Sequence, residues 1–155
     1  MVSNMDEGII RLANALDTED MIGFTRAFVE DFKTGRNCVN RELLPWIEDI
    51  DKGWTGVLCL GMGGSAAGGD FLATLCDHKG AVPVRCHRGY DIPSWWTPDW
   101  LVISTSYSGN TEETLSSTVQ AMDMGATVVV IASGGELAGL SELSHKVHLI
   151  SCPSG

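Results

Sequence analysis

The sequence predicts an α/β domain built on a parallel sheet and preceded by helices. Three observations predict it. Short continuous apolar runs, the first being Val57-Leu58-Cys59-Leu60 between Gly56 and Gly61, read as strands buried on both faces. Helix-length stretches separate most of these runs, and strand–helix alternation implies right-handed crossovers. The 155 residues, 44% of them hydrophobic, suffice for one domain with a core, domains commonly running to roughly 100–150 residues.

Along the chain, Ile9, Ile10, Leu12, Ala13 and Leu16 suit a short first helix. Asp17 or Thr18 is placed to cap a second, in which Met21, Ile22, Phe24, Phe28, Val29 and Phe32 recur at helical spacing and which Gly35 is expected to close. A third helix is expected over about Val39 to Asp49, starting near Asn40, with Pro45 as a kink or boundary. The strand runs that follow Val57 to Leu60 are Val82 to Cys86, Leu101 to Ser104, Thr127 to Ala132 and Val147 to Ser151. Pro83 weakens the second of them or places it near a sheet edge. Helices are expected at about Ala66 to Cys76, Thr111 to Met124 and Glu136 to Ser144, and Gly89 to Trp100, broken by Pro93 and Pro98, reads as a loop. This divides the chain into a helical segment, 1–52, packing on a domain, 53–155. The sequence stops straight after a buried-type strand, so the expectation is a domain cut from a longer polypeptide.

Composition excludes several classes. Lys and Arg total 10 against 20 acids, for a net charge of −10, and they form no cluster. A nucleic-acid partner needs cations to displace counterions, so none is expected. No stretch approaches the roughly 20 apolar residues of a membrane span, and the first ten residues carry acids where a signal peptide has cations. Cysteines stand at 38, 59, 76, 86 and 152, an odd number at irregular spacing with no C-x-x-C. That suits a reduced, cytoplasmic compartment better than a disulfide framework.

Two loops carry the chemistry. Gly61-Met62-Gly63-Gly64-Ser65 follows the first strand and opens a helix. Its glycines let main-chain N–H groups approach a ligand, and the helix start favours an anion. The second loop, Ser104-Thr105-Ser106-Tyr107-Ser108-Gly109-Asn110-Thr111, holds five aliphatic hydroxyls in eight residues. Asn110 and Glu113 have capping-box spacing at a second helix start. Two such loops on adjacent strands can enclose a phosphate monoester with dipoles and neutral donors, and the Glu112 and Glu113 carboxylates would complement the helix dipole. The Walker A pattern fails, since no Lys follows the glycines. The dinucleotide fingerprint is met at Gly61, Gly63 and Ala66, but no acid ends the second strand. Arg85 and Arg88 stand there, which suits a 2′-phosphate and keeps an NADP-binding domain as an alternative.

The runs GMGGSAAGGD, RGYDIP, SYSGNTEET and ASGGEL resemble the bifunctional phosphoglucose/phosphomannose isomerases, which are built from two sugar isomerase (SIS) domains. The resemblance runs from about Met21 to the last residue. It implies a three-layer sandwich with a flavodoxin-like five-stranded parallel sheet, and a second SIS domain beyond residue 155. By resemblance Ser65, Ser106, Ser108 and Thr111 would bind the substrate phosphate, with Gly63 and Gly64 giving backbone donors or clearance, and Ser133-Gly134-Gly135 matches a glycine turn near the same edge. The implied reaction interconverts glucose 6-phosphate or mannose 6-phosphate with fructose 6-phosphate through an enediol, without metal or cofactor. The family's catalytic glutamate, histidine and arginine fall beyond residue 155, so no catalytic residue is assigned here and the isolated chain is expected to bind without turnover. A homodimer is implied for the full-length form. A non-catalytic SIS-type sensor of sugar phosphates is the other alternative. Cys76, His78, Cys86 and His87 fit no common zinc spacing, and Trp95, Trp96 and Trp100 either cover a core edge or face a partner.

Overall fold

The computed structural model describes residues 4–39, 44–50, 53–79 and 82–153. They fall into two compact units, Met1–Asn37 and Cys38–Gly155. The first is a pair of helices, α1 (Asn4–Leu16) and α2 (Met21–Asn37). Asp17 caps the second with its side chain, but not from the N-cap position expected at 17 or 18. Asp20 holds that position, because the helix begins at Met21 and the Phe24 N–H bonds the Asp20 carbonyl. The Asp17 carboxylate accepts the Met21 N–H at 2.6 Å and the Ile22 N–H at 2.8 Å, donors that a helix start leaves unpaired. Gly35 does not close α2, which runs two residues further to Asn37. A single internal glycine costs only about 1 kcal/mol against alanine, which weakens a helix without having to end it. Asp17→Ala should cost about 1 kcal/mol of local stability, seen as faster amide exchange at Met21 and Ile22. Unchanged exchange there would show that the cap contributes nothing.

In the second unit, the expected third helix is a single turn, α3 (Trp46–Asp49), entered through Pro45. The start expected near Asn40 lies outside the described residues. Trp46 stacks on His148, ring centroids 4.6 Å apart and 19° between planes. Five strands follow: β1 (Gly56–Leu60), β2 (Val84–His87), β3 (Trp100–Thr105), β4 (Val128–Ala132) and β5 (Val147–Ser151). All pair in parallel, in the order β2-β1-β3-β4-β5. Pro83 offers only its carbonyl, to the Val57 N–H at 2.9 Å, so β2 begins one residue after it and lies at the sheet edge.

The connecting helices are α4 (Ala67–Lys79), α5 (Glu112–Asp123) and α6 (Gly135–Gly139), with short 3-10 turns at Gly63–Ala66 and Leu140–Glu142. From β1 the chain crosses to one side, and from β3 to the other, so right-handed crossovers put α4 on one face and α5 with α6 on the opposite face. This is the three-layer, flavodoxin-like arrangement. Strand parity then sorts the side chains. Leu58, Leu60, Val102, Val128, Val130, Ala132 and Val147 form the hydrophobic core with Ala121 of α5 and Leu137 of α6. Each large aliphatic side chain fully buried there contributes about 1.5–3 kcal/mol. Trp96, 3% exposed, joins that core, whereas Trp95 is exposed and packs on half-buried Trp100. On the other face α4 approaches so closely that a Cβ at Gly69 would lie 2.7 Å from that of Cys59 and 2.9 Å from the Cys86 sulfur.

Candidate functional site

Strand order reverses between β1 and β3, and both hydroxyl-bearing loops leave the sheet there, at its carboxyl edge. The glycine loop passes under the end of β3. A Cβ at Gly61 would stand 3.0 Å from the Thr105 carbonyl and 3.2 Å from that of Ser65, so only glycine crosses without a shift. Gly63 has φ +51, in the left-handed region. The Ser65 N–H closes the 3-10 turn on the Met62 carbonyl at 3.0 Å. Gly63 and Gly64 are exposed and Ser65 half-buried. A cavity of about 380 Å³ opens beside this loop, lined by Gly64, Ser65 and Gly69 together with Cys59, Ile103 and Thr105. Its lining is largely apolar. Ser106, Ser108 and Thr111 do not line it; they sit on the neighbouring turn into α5.

That turn divides its hydroxyls between two tasks. Ser104 is not a loop residue. It lies in β3 with the parity of Val102, fully buried against α5, 2.7 Å from the Thr118 hydroxyl. Thr118 donates onward to the Thr114 carbonyl at 2.5 Å, so Ser104 is the donor of the pair. Its hydroxyl therefore belongs to the core. Ser106, 2% exposed, accepts the Gly109 N–H at 3.2 Å and lies 2.8 Å from the Thr111 hydroxyl. Ser108 is exposed, its oxygen accepting the Asn110 N–H at 3.3 Å.

Thr111 holds the N-cap of α5, and no side chain caps its first turn. The capping box expected between Asn110 and Glu113 does not form, because the Asn110 carboxamide accepts the Glu136 N–H at 3.0 Å from the loop after β4. The α5 N-terminus thus lacks a side-chain cap, with exposed Ser108 and half-buried Thr111 beside it. Such a terminus attracts anions through its dipole and free N–H groups.

Spacing gave no signal for two neighbours of this edge. Gln120 donates to the Tyr90 carbonyl at 2.8 Å and accepts the Ile92 N–H at 3.3 Å, which fixes the loop after β2 against α5. The Tyr90 hydroxyl comes within 3.5 Å of Glu112, and the Glu113 charge, then desolvation and Glu112, raise its pKa. Behind the glycine loop, burial pushes the Cys59 thiol up to about 11 and Cys86 up to about 12, so both are neutral packing groups. None of the five cysteines is in a disulfide. Arg88 pairs with Asp70 of α4 and Arg85 lies 3.9 Å from Asp77, so α4 carboxylates engage both arginines that a 2′-phosphate would need. Among the described residues no group of side chains forms a metal site, and no helix is long and apolar enough to cross a membrane.

Over 108 residues the chain is 43% identical to a bifunctional phosphoglucose/phosphomannose isomerase of Caldicellulosiruptor bescii, a match covering 70% of this chain and 30% of that one. The chain is homologous to part of the bifunctional phosphoglucose/phosphomannose isomerases. The resemblance read from its motifs therefore holds, and the partial match fits a portion of the longer isomerases. A D-glucosamine-6-phosphate 4-epimerase of Sulfolobus acidocaldarius is 32% identical over 120 residues, 77% of this chain and 36% of that protein. The chain thus spans about a third of the length of these curated relatives. Among solved structures, a tagatose-6-phosphate ketose/aldose isomerase from Escherichia coli superposes with a TM-score of 0.63 over 79% of this chain and 38% of that one, at 21% identity. That likeness establishes the fold. No protein-family model matches the chain.

Proposed function

We propose that the chain is the phosphate-binding domain of an aldose–ketose isomerase that interconverts glucose 6-phosphate or mannose 6-phosphate with fructose 6-phosphate by enediol proton transfer. The observation that carries this reading is the meeting, at the strand-order switch, of a glycine turn and a helix start without a side-chain cap. In it, main-chain N–H groups at Gly63 and Gly64 and the first turn of α5 face the phosphate oxygens. The Ser65, Ser108 and Thr111 hydroxyls donate to them, and Ser106 shapes the turn and shares its proton with Thr111. The charge is met by dipoles and neutral donors, as the absence of a Lys from both loops requires. The proton-transfer groups lie outside residues 1–155 in this reading. The reading includes a cytoplasmic homodimer for the longer protein, a location that cysteines outside any disulfide support.

Titration calorimetry of the 155-residue chain with fructose 6-phosphate, glucose 6-phosphate and inorganic phosphate tests the reading. Binding of the sugar phosphates is expected, and no heat at millimolar ligand from folded protein would sink it. Ser65→Ala with Ser108→Ala should weaken binding by at least about tenfold per hydroxyl, since a hydrogen bond to a charged group contributes about 1.5–3 kcal/mol.

A further inference from the structure

The hydroxyl loop is short, rich in Ser and Gly, and open to solvent at Ser108. Free in solution, such a segment would spend its binding energy on ordering, at roughly 1–2 kcal/mol per residue fixed. What orders it here comes from another loop. The turn after β4, residues 133–137, bonds to three of its residues. Ser133 donates twice to the Tyr107 carbonyl, from its N–H at 3.0 Å and its hydroxyl at 2.6 Å. The Glu136 N–H meets the Asn110 side chain at 3.0 Å, and the Leu137 N–H meets the Gly109 carbonyl at 2.9 Å. Leu137 is itself fully buried, which anchors the whole arrangement in the core. The two backbones touch: a Cβ at Gly135 would lie 2.4 Å from the Ser108 carbonyl.

We propose that the turn after β4 holds the hydroxyl loop in its binding conformation, with Ser133 and Asn110 as positioning residues that donate nothing to the ligand themselves. The inference rests on the phosphate-binding reading above. It assigns Asn110 a role different from the helix cap that its spacing implies. The residues on both sides of Ser108 are tied, which leaves the Ser108 hydroxyl as the group presented outward.

The test uses the full chain, two variants that remove the tie, Asn110→Ala and Ser133→Ala, and one that keeps the hydroxyl, Ser133→Thr. Amide exchange of the ligand-free protein should be faster in both alanine variants at Gly109 and Asn110, unchanged along β4, and restored by Ser133→Thr. Fructose 6-phosphate affinity should fall about tenfold in the alanine variants and recover in Ser133→Thr, although no proposed phosphate donor has been removed. Wild-type affinity in both alanine variants would overturn the proposal, and so would exchange that rises equally along every strand, since that marks general destabilisation. If wild-type protein binds neither fructose 6-phosphate nor inorganic phosphate, the functional reading fails. Exchange confined to the loop would then still support the tie, and unchanged exchange would remove it.

Discussion

Gly109→Ala is expected to lower the melting temperature of the chain by roughly 8–20 °C. Gly109 has φ +71, where an L-residue costs about 1–2 kcal/mol. A Cβ there would also stand 1.8 Å from the Gly134 carbonyl oxygen, and that backbone cannot retreat without breaking the bonds that 133–137 make to the hydroxyl loop. Overpacking of this kind adds about 1–3 kcal/mol. The sum, about 2–5 kcal/mol, converts at roughly 4 °C per kcal/mol for a unit of this size. Gly64→Ala is the control. It has no neighbour within 4 Å of an added Cβ and no positive φ, and should change stability by less than about 0.5 kcal/mol. Scanning calorimetry of the two side by side decides the matter, and equal melting temperatures would show that the loops do not interlock as described.

The second large effect lies in β1. Leu58 is fully buried, on a strand paired on both sides, in the core beneath α5 and α6. Leu58→Ala should cost about 2–5 kcal/mol, the lost transfer energy plus the cavity left behind. Ile103→Ala, on the opposite face and only half-buried, should cost clearly less. The comparison is read as the shift in urea midpoint at constant slope. Equal shifts would mean that the two faces are packed alike, against the asymmetry described.

The strands were legible because a parallel sheet buries both faces, so each strand is a continuous apolar run needing no partner to be recognised. The helix boundaries were less so. Gly35 looked like a stop but is merely a weak helix former, and Pro45 admits one turn rather than a long helix. At the candidate site the donors were legible as residue types, and the directions in which they point were not. The third apolar run already ends at Ser104, and its parity with Val102 assigns that hydroxyl to the core rather than to the loop. Asn110 could not be assigned in this way: its partner is the Glu136 N–H, 26 residues away, and a capping-box rule sees only local spacing. The inward turn of Ser106 likewise depends on how the backbone folds back at Gly109.

The place of β1 in the sheet has a consequence for biosynthesis. Of the five strands among the described residues it is the first to be synthesised, yet both of its neighbours come later in the chain. Until β2 and β3 have been made, the run Gly56–Leu60 offers two open edges and apolar side chains to anything nearby. Its closure is non-local on both sides, which makes it slow. In the interval between synthesis of β1 and of β3 this run is therefore open to mispairing.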